Sequence, residues 1–190
     1  MGGTARYVFG YGSLAAWAGR GQALAELAGV RRVWGVAMDN RVEIPGYKVY
    51  VDPADGSRPP VHVAFLDLAD AAPGAPPVNG ILVAVDARAL DDLDRRERNY
   101  ERTDVTDRVP GAPGRVWAYT GSAAGRARLA DGLRTGTAVV SRAYLDGVRD
   151  AFARLGDGEA ERFRATTQAP PVSVRELRRV ELAPPRPAMR

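Results

Sequence analysis

The feature that most limits how this chain can fold is its punctuation. Short runs of β-forming residues are broken again and again by glycine and proline, which number 21 and 14 among 190 residues. Tyr7-Val8-Phe9, Arg32 to Met38, Lys48 to Val51, Val61 to Leu66, Gly80 to Val85, Thr103 to Val105 and Arg115 to Tyr119 read as strands. Gly80 to Val85 is nearly all apolar, the pattern of a strand covered on both faces. Helices are scattered between them. Ala23 to Ala28 reads as a short one, and Asp86 is placed to cap another that runs to about Arg98. Ser141 to Leu155 carries Tyr144, Leu145, Val148, Phe152 and Leu155 at helical spacing, and Glu159 to Arg164 reads as a last turn or two. Strands and helices do not alternate as a doubly wound sheet requires. The expected class is therefore α+β, a small mixed β-barrel with helices around it.

A chain of this length makes one compact domain, expected over residues 1–165, with residues 166–190 as a Pro/Arg-rich extension whose end, from Arg175, reads as a solvated tail. The segment from Asp39 to Pro60 is long and turn-rich, and such loops in compact domains are as a rule functional or mobile. Its Arg41, Tyr47 and Tyr50 are placed to form a rim over a site. There is no cysteine, which removes disulfides and thiolate chemistry, and a single histidine, His62, which leaves carboxylates alone to build a metal site. The reading is no metal and no cofactor. No apolar run is long enough for a membrane span, and the start lacks the pattern of a secretion signal. Met1-Gly2 is followed by Arg6 where myristoylation needs Ser or Thr. These readings give a cytoplasmic protein with no membrane partner. The net charge of +4 comes almost wholly from arginine, Lys48 being the single lysine. The arginines interleave with acids, as from Asp91 to Arg98, so the charge does not point to nucleic acid. Oligomeric state is not encoded in any pattern here.

Three features bear on chemistry. Phe9-Gly10-Tyr11-Gly12-Ser13-Leu14 puts a glycine loop at the end of a strand, where backbone N–H groups either close a tight turn or grip a carboxylate or carbonyl oxygen. It is not a dinucleotide fingerprint, because Ala15 stands where the third glycine belongs, nor a nucleophile elbow, because Tyr11 stands where the first glycine belongs. In Leu90 to Glu97, Leu90 and Leu93 mark the buried stripe of a helix and Glu97 falls close to its centre line. A carboxylate carried inward at the negative end of a helix has a raised pKa and suits general acid–base work; it equally suits a structural ion pair with Arg102 or Arg41. His62, facing opposite to Val61 and Val63, reads as a satisfied or surface histidine. Tyr119 reads first as a half-buried strand aromatic and second as a substrate contact.

Together these motifs resemble the γ-glutamylcyclotransferase family, which includes the ChaC-type and AIG2-like proteins. Phe9 to Leu14 matches its FGYGSL signature. Leu93-Asp94-Arg95-Arg96-Glu97-Arg98-Asn99-Tyr100-Glu101-Arg102 matches its LD-x-x-E-x-x-Y-x-R pattern, and Gly80 to Val85 is the strand that leads there. The resemblance runs from Tyr7 to about Tyr119. It departs at Arg98-Asn99, where the family commonly has glycine after the glutamate, and in the long Asp39–Pro60 segment. It implies an enzyme that cyclises the γ-glutamyl group of a small-molecule γ-glutamyl amide to 5-oxoproline. By motif, Glu97 would be the catalytic base, and Tyr11, Gly12, Ser13, Leu14 and Tyr119 would bind substrate. A catalytically silent binding module on the same fold is the alternative.

Overall fold

Strand β1 (Arg6–Gly10) delivers the glycine loop from the middle of a five-stranded sheet, and every other element is placed relative to it. The computed structural model describes residues 5–17 and 22–183, so Met1-Gly2 and residues 184–190 lie outside it. A 3-10 turn over Ser13–Trp17 follows the loop. The chain continues through β2 (Ala23–Leu27), β3 (Val30–Asp39), β4 (Lys48–Val51), β5 (His62–Asp70) and β6 (Val78–Ala84) to α1 (Ala87–Arg96). Then come β7 (Tyr100–Asp104), β8 (Arg115–Gly121), α2 (Ala123–Arg134), β9 (Ala138–Ser141), α3 (Arg142–Arg154) and α4 (Glu159–Ala165). Two short strands, β10 (Val174–Arg175) and β11 (Arg178–Glu181), end the described chain.

The α+β class is as the sequence implies. Strand order is β2-β6-β1-β8-β7 in the first sheet and β10-β9-β5-β3 in the second, with β11 and β4 forming a separate ribbon. β1 runs antiparallel to β6 and parallel to β8, so the first sheet is mixed. The two larger sheets share one apolar core, in which Phe9, Leu27, Val78 and Val116 from the first meet Trp34, Leu66, Leu68 and Val140 from the second. A hydrogen bond joins the sheets directly: the Gly121 N–H at the end of β8 donates to Asp67 Oδ1 of β5, at 2.6 Å. Helices α3 and α4 close the core with Phe152 and Phe163, whose rings stack 4.6 Å apart.

Two expectations change. Ala23 to Leu27 is a strand, not a helix; its helix-forming residues are held extended by antiparallel pairing, along their whole length, with Val78 to Leu82 of β6. The described part of the presumed solvated tail is folded. β10 pairs with β9, β11 pairs with β4, and Leu177 between them is 2% exposed. The sequence showed arginines and glutamates there because one face of β11 looks into a polar cleft and the other into solvent. Helix α2 and strand β9 carried no clear sequence signal. α2 packs through Gly125, Leu129 and Gly132, two of them residues that weaken a helical pattern. A Cβ on Gly132 would lie 2.7 Å from Cβ of His62, so the helix approaches β5 only as closely as glycine allows.

Candidate active site

The glycine loop is anchored from below by a single buried cation. Arg32, on β3, is 0% exposed, and its guanidinium lies between the rings of Phe152 and Phe163, 4.6 and 4.8 Å from their centroids. It donates through Nε to the Tyr11 carbonyl (2.7 Å), through Nη1 to Thr166 Oγ1 (2.7 Å), and through Nη2 to the carbonyl and side-chain oxygen of Asn79. Burial is the main influence on this group and lowers its pKa to about 9, which still leaves it charged near neutrality. The Tyr11–Gly12 peptide is trans. With its carbonyl held by Arg32, planarity turns the Gly12 N–H the opposite way, out of the core. On the same residue the Tyr11 hydroxyl donates to the Tyr119 carbonyl at 2.5 Å, tying the loop to β8.

Helix α1 brings the carboxylate. Asp86 caps it, accepting from the Ala89 N–H at 2.7 Å, and Leu90 and Leu93 pack with Val8, Leu14 and Tyr119. The helix ends at Arg96, two residues earlier than the sequence pattern implied. Glu97 is its C-cap, with its N–H donating to the Leu93 carbonyl and φ −88°, ψ 52° turning the chain towards β7. That turn lowers the Glu97 side chain into the space above the glycine loop.

Two connected cavities meet at this carboxylate. The inner one, about 30 Å³, is bounded by Tyr11, Gly12, Ser13, Leu14 and Tyr119 together with Glu97. The outer one is a cleft of about 590 Å³ that also reaches Ser13, Glu97, Tyr100 and Tyr144. All six residues singled out in the sequence thus converge on the inner cavity. The arginines named as structural partners of Glu97 are engaged elsewhere, Arg41 with Asp39 and Arg102 with Asp94. The cation nearest Glu97 is its neighbour Arg96, 3.5 Å away. Burial raises the Glu97 pKa above its ordinary value, an effect that Arg96, Lys48 and Arg179 oppose but do not reverse. The Tyr119 hydroxyl donates to Asp94 Oδ1 at 2.6 Å, which fixes the ring against α1. His62 borders neither cavity; it is 3% exposed, with Nδ1 2.8 Å from Thr137 Oγ1. Among the described residues no group of three or more His, Asp or Glu side chains is arranged to hold a metal. Nor is any described helix long and apolar enough to cross a membrane.

The family model for "Gamma-glutamyl cyclotransferase, AIG2-like" matches residues 8–135, about two thirds of the chain, from the strand that precedes the loop to the end of α2. The chain belongs to this family. A solved structure named "Gamma-glutamyl cyclotransferase" superposes with a TM-score of 0.50 over 90% of this chain and 94% of its own, at 14% identity, a likeness of fold. No curated protein matches. Family and fold support activity of the gamma-glutamyl cyclotransferase type.

This gamma-glutamyl cyclotransferase family member has a cleft richer than its motifs. The wall opposite Glu97 is the β4–β11 ribbon, in which Lys48 sits across from Glu181 and Tyr50 across from Arg179. Residues two apart share a face of a strand, so all four side chains look into the cleft. Tyr47 and Tyr50 of the Asp39–Pro60 segment line it as a rim segment should, whereas Arg41 does not. Tyr100 and Tyr144 complete the floor. Tyr100 donates to the Leu66 carbonyl at 2.7 Å, and burial is the leading cause that raises both phenol pKa values well above the ordinary range. Sequence reading left Tyr100 as a motif position and Tyr144 as part of an apolar stripe, and passed over Lys48, Arg96 and Arg179. The signal for Tyr144 was present: a hydroxyl on the buried face of α3 needs a polar partner, and it meets the Leu66 N–H at 3.4 Å beside the Gly12 loop.

Proposed function

We propose that the protein cyclises γ-glutamyl amides to 5-oxoproline, with Glu97 carrying the protons and the Gly10–Leu14 loop holding the glutamyl group. The observation that carries this reading is the position of Glu97, a desolvated carboxylate at the junction of a cavity lined by the loop and a cleft open to a leaving group. In a γ-glutamyl amide the α-nitrogen lies at the distance that closes a five-membered ring, so the nucleophile comes with the substrate. Glu97 takes a proton from the α-ammonium. The freed amine attacks the γ-carbonyl carbon, and the oxygen gains negative charge. The bond from that carbon to the departing nitrogen then breaks as the new lactam forms. Two protons leave the attacking nitrogen in all, and both finish on the departing amine, with Glu97 passing them across. The inner cavity has room for one oxygen-bearing group, and the outward-turned Gly12 N–H suits a developing oxyanion or a carboxylate there. Tyr119, tied to Asp94 and Tyr11, holds the loop and the helix at a fixed separation and bounds the substrate's glutamyl end.

The test is direct. Incubated with a set of γ-glutamyl amides, the folded protein should release 5-oxoproline and free amine in equal amounts. Failure to form 5-oxoproline from any of them sinks the reading and leaves a binding role on this fold.

Two further outcomes are expected. Turnover should survive dialysis against EDTA, because the proton path and the proposed oxygen-holding groups are all protein atoms; a loss restored by a divalent ion would remove this mechanism. The base must be ionised to act, so kcat/KM should fall as pH is lowered. Because burial holds the Glu97 pKa above the ordinary glutamate value of 4.5, the midpoint of that fall should lie above 4.5. An acid limb centred at or below 4.5 would assign it to another group.

A further inference from the structure

The outer cleft contains three cations and two carboxylates, and their pairing leaves one cation over. Arg96 has Glu97 at 3.5 Å, and Arg179 forms an ion pair with Glu181. Lys48 has neither. Among the described residues no carboxylate lies within ion-pair distance of its ammonium, and its cross-strand neighbour Glu181 is held by Arg179. The ammonium sits instead over aromatic faces, 4.4 Å from the Phe65 ring centroid and 5.4 Å from that of Tyr47. Lysine is a costly residue to place there unpaired, because a largely desolvated ammonium without an anion is destabilising. The rings recover part of that cost, and an incoming anion would recover more.

Position decides which anion. Glu97 and Ser13 border both cavities, whereas Lys48 borders only the outer one, on the wall away from the glycine loop. With the scissile bond at Glu97 and the glutamyl head towards the loop, Lys48 faces the part of the substrate that departs. We infer that Lys48 is a specificity residue that binds a carboxylate on the leaving amine, so that the substrates of this protein are γ-glutamyl conjugates of amino acids or peptides rather than of neutral amines. This rests on the cyclotransferase reading proposed above. Tyr50 and the Arg179–Glu181 pair line the same wall and leave the lysine as the one unmatched charge on it.

The experiment compares two substrates that differ only in that charge, γ-glutamylalanine and γ-glutamylalaninamide, by 5-oxoproline release with the wild type and with Lys48→Met. A charge-assisted contact corresponds to a preference for the acid of about 10- to 100-fold in kcat/KM in the wild type. In Lys48→Met that ratio should collapse to within about threefold of unity, and Lys48→Arg should restore part of it. A wild-type ratio near one overturns the inference whatever the variants do, and so does a ratio that survives in a folded Lys48→Met protein. If both substrates weaken by the same factor in Lys48→Met, the lysine holds the glutamyl carboxylate instead and the inference is again overturned. Absence of 5-oxoproline from either compound with folded wild type would remove the cyclotransferase reading, and this inference with it. That outcome is distinct from turnover without preference.

Discussion

Glu97→Gln should leave a folded, slightly more stable protein whose turnover falls about 10²- to 10⁴-fold, the range that general acid–base catalysis contributes. The swap nearly keeps the volume, replaces one acceptor oxygen by an NH2 donor, and removes the capacity to take and return a proton. Its effect on stability has a definite sign. Burial raises the pKa of Glu97, so the folded protein holds that proton more tightly than the unfolded chain does. The group therefore favours folding at acidic pH, and that contribution is lost as pH rises through the raised pKa. At neutral pH glutamine escapes the penalty, and the melting temperature should hold or rise. A structural ion pair predicts the reverse, a lower melting temperature with activity lost only in step with folding. Measuring both quantities on one preparation separates them, and near-normal turnover in folded Glu97→Gln would end the case for this residue.

Arg32→Met should give the opposite signature, a protein that is hard to keep folded. Methionine fills much of the same space between Phe152 and Phe163 but donates nothing. The Tyr11 carbonyl, the Asn79 carbonyl and side-chain oxygen, and the Thr166 hydroxyl all lose their donor in a place water does not reach. Glu159, 7% exposed and bonded to Asn79 Nδ2 at 2.7 Å, also loses the positive charge behind that contact. Removing one member of a buried polar network of this kind costs about 3–5 kcal/mol. For a domain of this size that corresponds to a fall in melting temperature of roughly 6–20 °C. Below that temperature the residual activity should show a KM raised more than kcat is lowered, since the released Tyr11–Gly12 peptide no longer presents its N–H in one direction. A melting temperature within about 2 °C of wild type would show that the network carries little of the stability assigned to it.

The inner half of the site was legible because it is made of local patterns. Gly10 to Leu14 is one contiguous loop, and Leu90, Leu93 and Glu97 are fixed to one face by helical geometry even though the helix stops at Arg96. The outer half was not, because it depends on pairings distant in sequence. Nothing in Lys48-Val49-Tyr50-Val51 says that Arg178–Glu181 will lie beside it, and without that ribbon Arg179 is one more arginine in a basic stretch. Arg32 was hidden for a different reason. In Val30-Arg31-Arg32-Val33 either arginine suits a solvent-facing strand position, and only the arrival of Asn79 from β6, Phe152 from α3, and Phe163 and Thr166 from α4 and its C-cap makes an interior place for one of them. Ala23–Leu27 failed as local reasoning fails in general, where partner strands overrule residue preference.

The ribbon and the arginine network also set an order of events at the ribosome. Arg32 finds its Thr166 partner 134 residues later, and the wall that bears Lys48 gains its second strand only when Arg178–Glu181 has been made. A nascent chain that has emerged only through α2 includes the whole region that marks the family, the loop and the carboxylate, yet lacks Thr166, Phe152 and Phe163 around Arg32 and the second strand of the cleft's far wall. Closing contacts of such span is slow, because the entropy of bringing distant segments together is lost before any packing compensates for it. Until then the surroundings of Arg32 and Lys48 are incomplete, and a synthesis intermediate of this protein has the motif without the finished pocket.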